Sequence, residues 1–195
     1  MKKFAVILLS LIILNVFASC NGSGENTLEV YLVSGDLPSD GKIDINKLEL
    51  EDTPVFTLDD IQKYYWEHQA FVMKKDLLNE RLNAEPGKIP VPTYGKPYVL
   101  VVNGERIYMG KFWSMLSSQL EVFTPLIYVE FAWGKDNEQY DLQHDQKLYA
   151  VTWNLVENAE NAGKLKKELA NKIYDKRIYK VLKNAGVLVE KEEKK

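Results

Sequence analysis

A chain of 195 residues that is 46% hydrophobic and 27% charged suits one ordinary globular domain and is too apolar to stay disordered. Setting aside the two lysines of the leader, Lys2 and Lys3, takes the formal charge from -3 to -5. That mild acidity argues against a nucleic-acid partner, which needs a basic stripe, and gives no electrostatic reason to lie flat on anionic lipid.

Residues 1–19 have the layout of an export signal. Lys2 and Lys3 precede an apolar run from Phe4 to Phe17, broken only by Ser10 and Asn15, and Ala18 and Ser19 follow. The run is short of the ~20 apolar residues that span a bilayer core at helical rise. Cys20, the one cysteine of the chain, stands directly after it, which rules out an intrachain disulfide and any CxxC metal or redox site. Val16 to Cys20 resembles the lipobox of bacterial lipoproteins, with Phe17 where leucine is usual. The resemblance implies cleavage before Cys20, acylation of that residue (palmitate among the chains) and an extracytoplasmic, membrane-tethered product. Residues 20–27 then read as a lipid-anchored polar tether, 28–189 as a single domain and 190–195 as a charged tail.

Within the domain, Leu28 to Val33 alternates as a strand, Ser34 to Gly41 is a loop, and Leu48 to Glu51 alternates again. Thr57 can cap a short helix whose first turn carries Asp59 and Asp60. Gln69 to Met73 reads as a strand, and Lys74 to Asn83 as a helix that ends before the Pro86 to Pro92 loop. The strongest local signal is Tyr98 to Val102, Asn103, Gly104, then Glu105 to Met109, because Asn-Gly supplies the positive φ of a type I′ turn and so fixes a hairpin. Counting from that turn pairs Leu100 with Ile107 and Val99 with Tyr108. One face then holds Tyr98, Leu100, Ile107 and Met109, and the other Val99, Val101, Arg106 and Tyr108. Leu126 to Phe131 and Lys147 to Val156 are further strands, the second with Tyr149, Val151, Trp153 and Leu155 on one side. Glu160 to Ala185 is helical in pattern, with a break near Asp175, a residue able to cap the last helix, and Gly186 as its stop. Irregular alternation around a hairpin predicts an α+β fold with a mostly antiparallel sheet, an extra C-terminal strand and helices.

The segments "TPVFTLDDI" (53–61) and "GKPYVLVVNGERIYMGKFW" (95–113) resemble the first extracytoplasmic domain of SecD-type protein-export subunits. There a "P-x-x-T-x-x-D-I" element precedes a helix, and "GK" opens a hairpin with an Asp-Gly or Asn-Gly turn. The chain is also similar to a group of small bacterial lipoproteins sharing "LELEDTP", "YYWEH" and "GERIYMGKFWSMLSS". The likeness covers roughly Leu48 to Glu130 and implies a ferredoxin-like β-α-β-β-α-β core. It does not carry translocation activity over, because the spanning segments of a proton-coupled motor are missing; at most it implies contact with exported or envelope proteins. A ferredoxin-like sheet leaves one face without helices, which makes Val99, Val101, Arg106, Tyr108 and the nearby Trp113 the candidate binding surface. Large apolar groups are concentrated just there, in Lys111 to Ser118, where core packing is the competing explanation.

No catalytic constellation assembles. His68 and His144 lie far apart in sequence and lack a second ligand at helical spacing, so no metal or cofactor is expected, and a small envelope hydrolase using Asp or Glu with either histidine ranks second to a binding or accessory module. Asp36, Asp40, Gly41, Ile43 and Asp44 suggest half of a calcium loop, but Pro38 and Lys47 stand where two ligands belong, the second of them the bidentate acid. Asp136, Glu138, Asp141 and Asp145 flank Tyr140 in a polar loop, where spacing alone cannot set a glycosidase separation.

Overall fold

The computed structural model describes residues 26–38, 43–75, 78–82, 91–92, 94–122, 124–129, 147–154 and 161–190. Cys20 and the leader, Asp40 and Gly41, the acids of 136–145, His144, Leu155 and the tail from 191 lie outside the described residues.

Among the described residues, nine strands form one mixed sheet: β1 (Leu28–Leu32), β2 (Phe56–Thr57), β3 (Ile61–Tyr65), β4 (Ala70–Met73), β5 (Lys96–Val102), β6 (Glu105–Trp113), β7 (Leu126–Tyr128), β8 (Lys147–Thr152) and β9 (Leu188–Val189). The helices are α1 (Leu78–Arg81), α2 (Ala162–Ile173) and α3 (Lys176–Asn184). The sheet order is β2-β1-β5-β6-β7-β8-β4-β3-β9, antiparallel except for the pairs β6 with β7 and β3 with β9. The α+β class and the mostly antiparallel sheet are as expected. The ferredoxin-like β-α-β-β-α-β arrangement is not seen among the described residues: the hairpin β5-β6 is flanked by β1 and β7, and residues 114–122, which follow it, contain no helix.

β2 and β3 stand near opposite ends of this order, yet only the 3-10 turn Leu58–Asp60 separates them in the chain. The sheet must therefore curl until its ends meet, and Phe56 of β2 stacks on Phe71 of β4 with ring centroids 5.3 Å apart. The inner face of the curl holds the main core, including Leu28, Val30, Tyr64, Tyr98, Leu100 and Tyr149. The two C-terminal helices insert Leu169, Ile173, Ile178, Val181 and Leu182 into it. Their boundary falls as read from the sequence: the Asp175 carboxylate accepts from the Arg177 N–H as N-cap of α3, and Gly186 takes a φ of +71 after the helix.

The hairpin turns at Asn103 and Gly104, both at positive φ, but its register slips by one residue between Leu100 and Val101. Leu100 pairs with Tyr108 and Val99 with Met109, so past the bulge the side chains of β6 exchange faces relative to a regular ladder. Ile107 and Tyr108 both join the inner core, and Met109 goes to the outer face with Val99 and Val101. The stretch Leu48 to Glu51, expected as a strand, contributes a single bridge, Leu50 to Val33. Of the helix expected over Lys74 to Asn83, the described residues show one turn, Leu78–Arg81.

Candidate functional site

The face expected to be open is covered by the chain itself. Val99 and Val101 are buried against Leu48, with Leu37, Ile43, Ile45 and Leu50 packed around them, so the segment after β1 folds back over the outer side of β1, β5 and β6. Arg106 secures it, donating from one guanidinium nitrogen to the carbonyl oxygens of Ile45 (2.6 Å) and Leu48 (2.8 Å). Tyr108 lies in the inner core and Trp113 is 3% exposed. The candidate surface of Val99, Val101, Arg106, Tyr108 and Trp113 is therefore corrected: four of the five are buried, and the fifth is occupied as a clamp. The physical reason lies in the bulge, which turns Tyr108 inward, and in the apolar residues of 33–50, which need the same face.

An accessible site lies one step further along β6. Because β6 and β7 are parallel, no tight turn can join them, and the connection from Ser114 to Pro125 has to arch across the sheet. Two serine turns shape the arch: Ser114 Oγ accepts from the Leu116 N–H and Ser117 Oγ from the Gln119 N–H, each at 3.1 Å. Its base is fixed by Lys111, which pairs with Glu121 at 2.7 Å, while Asn154 Nδ2 donates to the Glu121 carbonyl at 3.0 Å. The arch leaves Met115, Leu116 and Leu120 at 53%, 72% and 70% exposure, three large apolar side chains in water. Between arch and sheet is a cleft of about 380 Å³, lined by Trp113, Ser114, Met115, Ser117, Gln119 and Leu120 on one side and by Tyr128, Ala150, Thr152 and Asn154 on the other.

Trp113 is held from behind. Gly95, at φ +75, leaves no room for a Cβ, which would stand 2.6 Å from the indole ring, and Lys111 Nζ lies 5.7 Å from the ring centroid. The cleft thus combines aromatic edges, hydroxyls and amides with an apolar rim. Among the described residues, no carboxylate, lysine, arginine or histidine lines it. Its size falls in the usual range of small-molecule sites, and its chemistry suits an uncharged ligand or an apolar side chain of a partner more than proton transfer. Of the sequence candidates it retains only Trp113. Tyr128, Thr152 and Asn154 had no local signal, since strand order alone brings them there; Met115, Leu116 and Leu120, set among serines in a turn-rich stretch, were the legible clue.

A second cleft, about 460 Å³, is bordered by Glu51, Thr53, Pro54, Val55, Thr57, Asp60 and Arg81. Two of its three charges, Asp60 and Arg81, are spent on structure. Arg81 donates to both Asp60 oxygens (2.7 and 3.2 Å) and to the Val55 carbonyl (2.8 Å), and Asp60 also accepts from the Thr57 N–H (2.8 Å), so that Thr57, read from the sequence as a helix cap, belongs to a capping box. Burial pushes the Asp60 carboxyl up, but the Arg81 and Thr57 hydrogen bonds outweigh it and hold it below its usual value.

His68 sits exposed in the turn between β3 and β4. Asp44 of the half calcium loop caps a 3-10 turn by accepting from Asn46 N–H. Among the described residues no group of three or more His, Cys, Asp or Glu side chains is placed to hold a metal, and no helix is long and apolar enough to cross a membrane. The chain matches no protein-family model, no curated protein and no solved structure.

Proposed function

We propose that the chain is a lipid-anchored, extracytoplasmic binding module of the bacterial cell envelope, held to the membrane through Cys20 and binding through the cleft under the Ser114 to Pro125 arch. The observation that carries the binding reading is the arch: it displays Met115, Leu116 and Leu120 to solvent beside an aromatic-floored cleft whose described lining holds no charged side chain. Burying those side chains in an occupant offsets a cost the free molecule bears, at ~25 cal/mol per Å² of apolar surface removed from water. Location rests on the sequence: a short apolar leader, small residues, then a lone cysteine. A contact with exported or envelope proteins, implied by the SecD-type resemblance, is the occupant class this reading favours. The hydrolase alternative loses ground because, among the described residues, no carboxylate or histidine lines the cleft.

Two measurements test the two halves. For the anchor, Cys20→Ala should release the protein from the membrane fraction and abolish incorporation of labelled fatty acid; unchanged incorporation would refute lipidation at Cys20. For the cleft, a photo-crosslinker at Leu120 or Met115 in living cells should give a discrete adduct, while one at Lys47, exposed in the segment that follows β1, gives none. Identical patterns at all three positions would refute the cleft as the binding site.

A further inference from the structure

The acidic average of the chain conceals a segregation of charge. Residues 162–184, the two C-terminal helices, hold eight lysines and arginines against two acids, a local excess of six positive charges, which leaves 17 basic and 26 acidic residues in the rest of the sequence. The helices turn Leu169, Ile173, Ile178, Val181 and Leu182 into the core, so their cations face outward. On α3, Lys176, Lys180 and Lys183 follow at i, i+4 and i+7, one stripe opposite Ile178, Val181 and Leu182. Arg177 is engaged by Asp175 and Glu105, and Lys183 by Glu190 at 2.9 Å. Among the described residues, Lys167, Lys172, Lys176 and Lys180 are exposed and have no carboxylate within ion-pair distance.

A second observation fixes where this face stands relative to the anchor. Asn26, the first described residue, donates from Nδ2 to the Val181 carbonyl of α3 at 3.0 Å, and Thr27 is held by Asn103 on either side of the backbone. The chain therefore enters the fold against α3. Cys20 is six residues upstream, and six residues reach at most about 20 Å. A lipid on Cys20 thus keeps α3 within about 20 Å of the bilayer.

We propose that the outward face of α2 and α3 docks on anionic phospholipid headgroups of the leaflet that holds the anchor, orienting the domain. The proposal rests on the lipid-anchor reading above. Charge complementarity carries it: each lysine near an anionic surface contributes roughly a five-fold gain in the docked population, and four unpaired lysines act together with an anchor that already supplies proximity. The net charge of -5 left once the leader is removed is no obstacle, because the field decays within a Debye length of about 8 Å and the lipid senses the nearest face.

The test uses the full acylated chain. Once Cys20 carries lipid, no other cysteine competes for a label, so Asn184→Cys on α3 and Ser118→Cys on the arch each accept one fluorophore. Both proteins are incorporated into phosphatidylcholine vesicles and into phosphatidylcholine–phosphatidylglycerol vesicles bearing a headgroup quencher. Failure to bind the neutral vesicles means that the anchor reading has failed. Given binding to both, the expected result is quenching at position 184 in the anionic vesicles only, reversed by added salt and absent at 118. Lys176→Gln with Lys180→Gln should cut the docked-to-undocked ratio by roughly 25-fold, with unchanged circular dichroism showing the helices intact. Equal quenching at 184 in neutral and anionic vesicles, or none in either, would overturn the proposal; the basic face would then belong to an acidic macromolecule that pure lipid does not supply.

Discussion

Three tyrosines crowd the inside of the curled sheet, and they do not contribute equally. Tyr64, Tyr98 and Tyr108 are all buried, and burial pushes each hydroxyl above its usual value, so all three are neutral at any physiological pH. Tyr64 donates to the buried Gln69 Oε1 at 2.8 Å, and Gln69 in turn donates to the Trp66 carbonyl at 2.8 Å, a chain that holds the β3-β4 turn, where Gln69 itself takes φ +49. Tyr98 Oη has no hydrogen bond of normal geometry, although its ring packs on Phe112 at 4.9 Å and Tyr108 is its polar neighbour. The ring is in place because β5 pairs Tyr98 with Gly110, where a Cβ would come within 2.4 Å of the phenol. The two hydroxyls should respond in opposite senses. Tyr64→Phe orphans a buried amide oxygen and should cost about 1–3 kcal/mol, whereas Tyr98→Phe removes an ill-satisfied group and should be neutral or stabilising by up to about 1 kcal/mol. Urea midpoints of the two variants decide this; equal losses would show that Tyr98 Oη is fully satisfied.

At the scale of elements, the one described turn of α1 is too short to stand alone; it is attached by the fully buried Leu78, with Leu82 just after it, and by the Arg81 pair with Asp60. Because the folded Asp60 carboxyl titrates below its ordinary 3.8, its contribution is present above the unfolded value and is lost as pH falls through the folded one. Asp60→Asn should therefore lower stability by about 1–2 kcal/mol at neutral pH, and the gap between wild type and variant should close below about pH 4. A gap that persisted into acid would mean that the amide disturbs packing rather than removing a charge. The same element scale shows what the sequence could reveal. β1, β4, β5, β8, the Thr57 cap and the break at Asp175 are legible because period, cap and turn residues are local. β3 was missed because its burial does not alternate and a register shift lies between Ile61 and Lys63. β2 and β9 are two residues each, paired only through the curl. The faces of β6 were misassigned by a bulge that leaves no mark in composition. The cleft was half legible: its exposed apolar residues stand out among serines, but its far wall comes from β7 and β8, and no local pattern reports which strands become neighbours.

For the whole molecule, the question is whether a sheet of nine strands behaves as one unit or two. Strand pairing alone would permit division, because β7, the only link between β6 and β8, is three residues long. The core argues against it. Phe56 from one end of the order stacks on Phe71 from the other, Phe71 stacks on Tyr64 and on Tyr149, and Ile178 from α3 lies among Leu28, Phe56, Tyr64 and Val151. Opening either half would strip apolar cover from the other, so partial unfolding forfeits most of the burial while recovering only part of the chain entropy. Native-state hydrogen exchange should therefore give one common free energy for amides of Val99 to Val102 in β5 and of Phe71 to Met73 in β4, equal to that of global unfolding. β2 and β9, each two residues on an edge, should exchange earlier by fraying. Amides of β3, β4 and β8 opening together at a markedly lower free energy than β1, β5 and β6 would show instead that the curl is a contact between two independent layers.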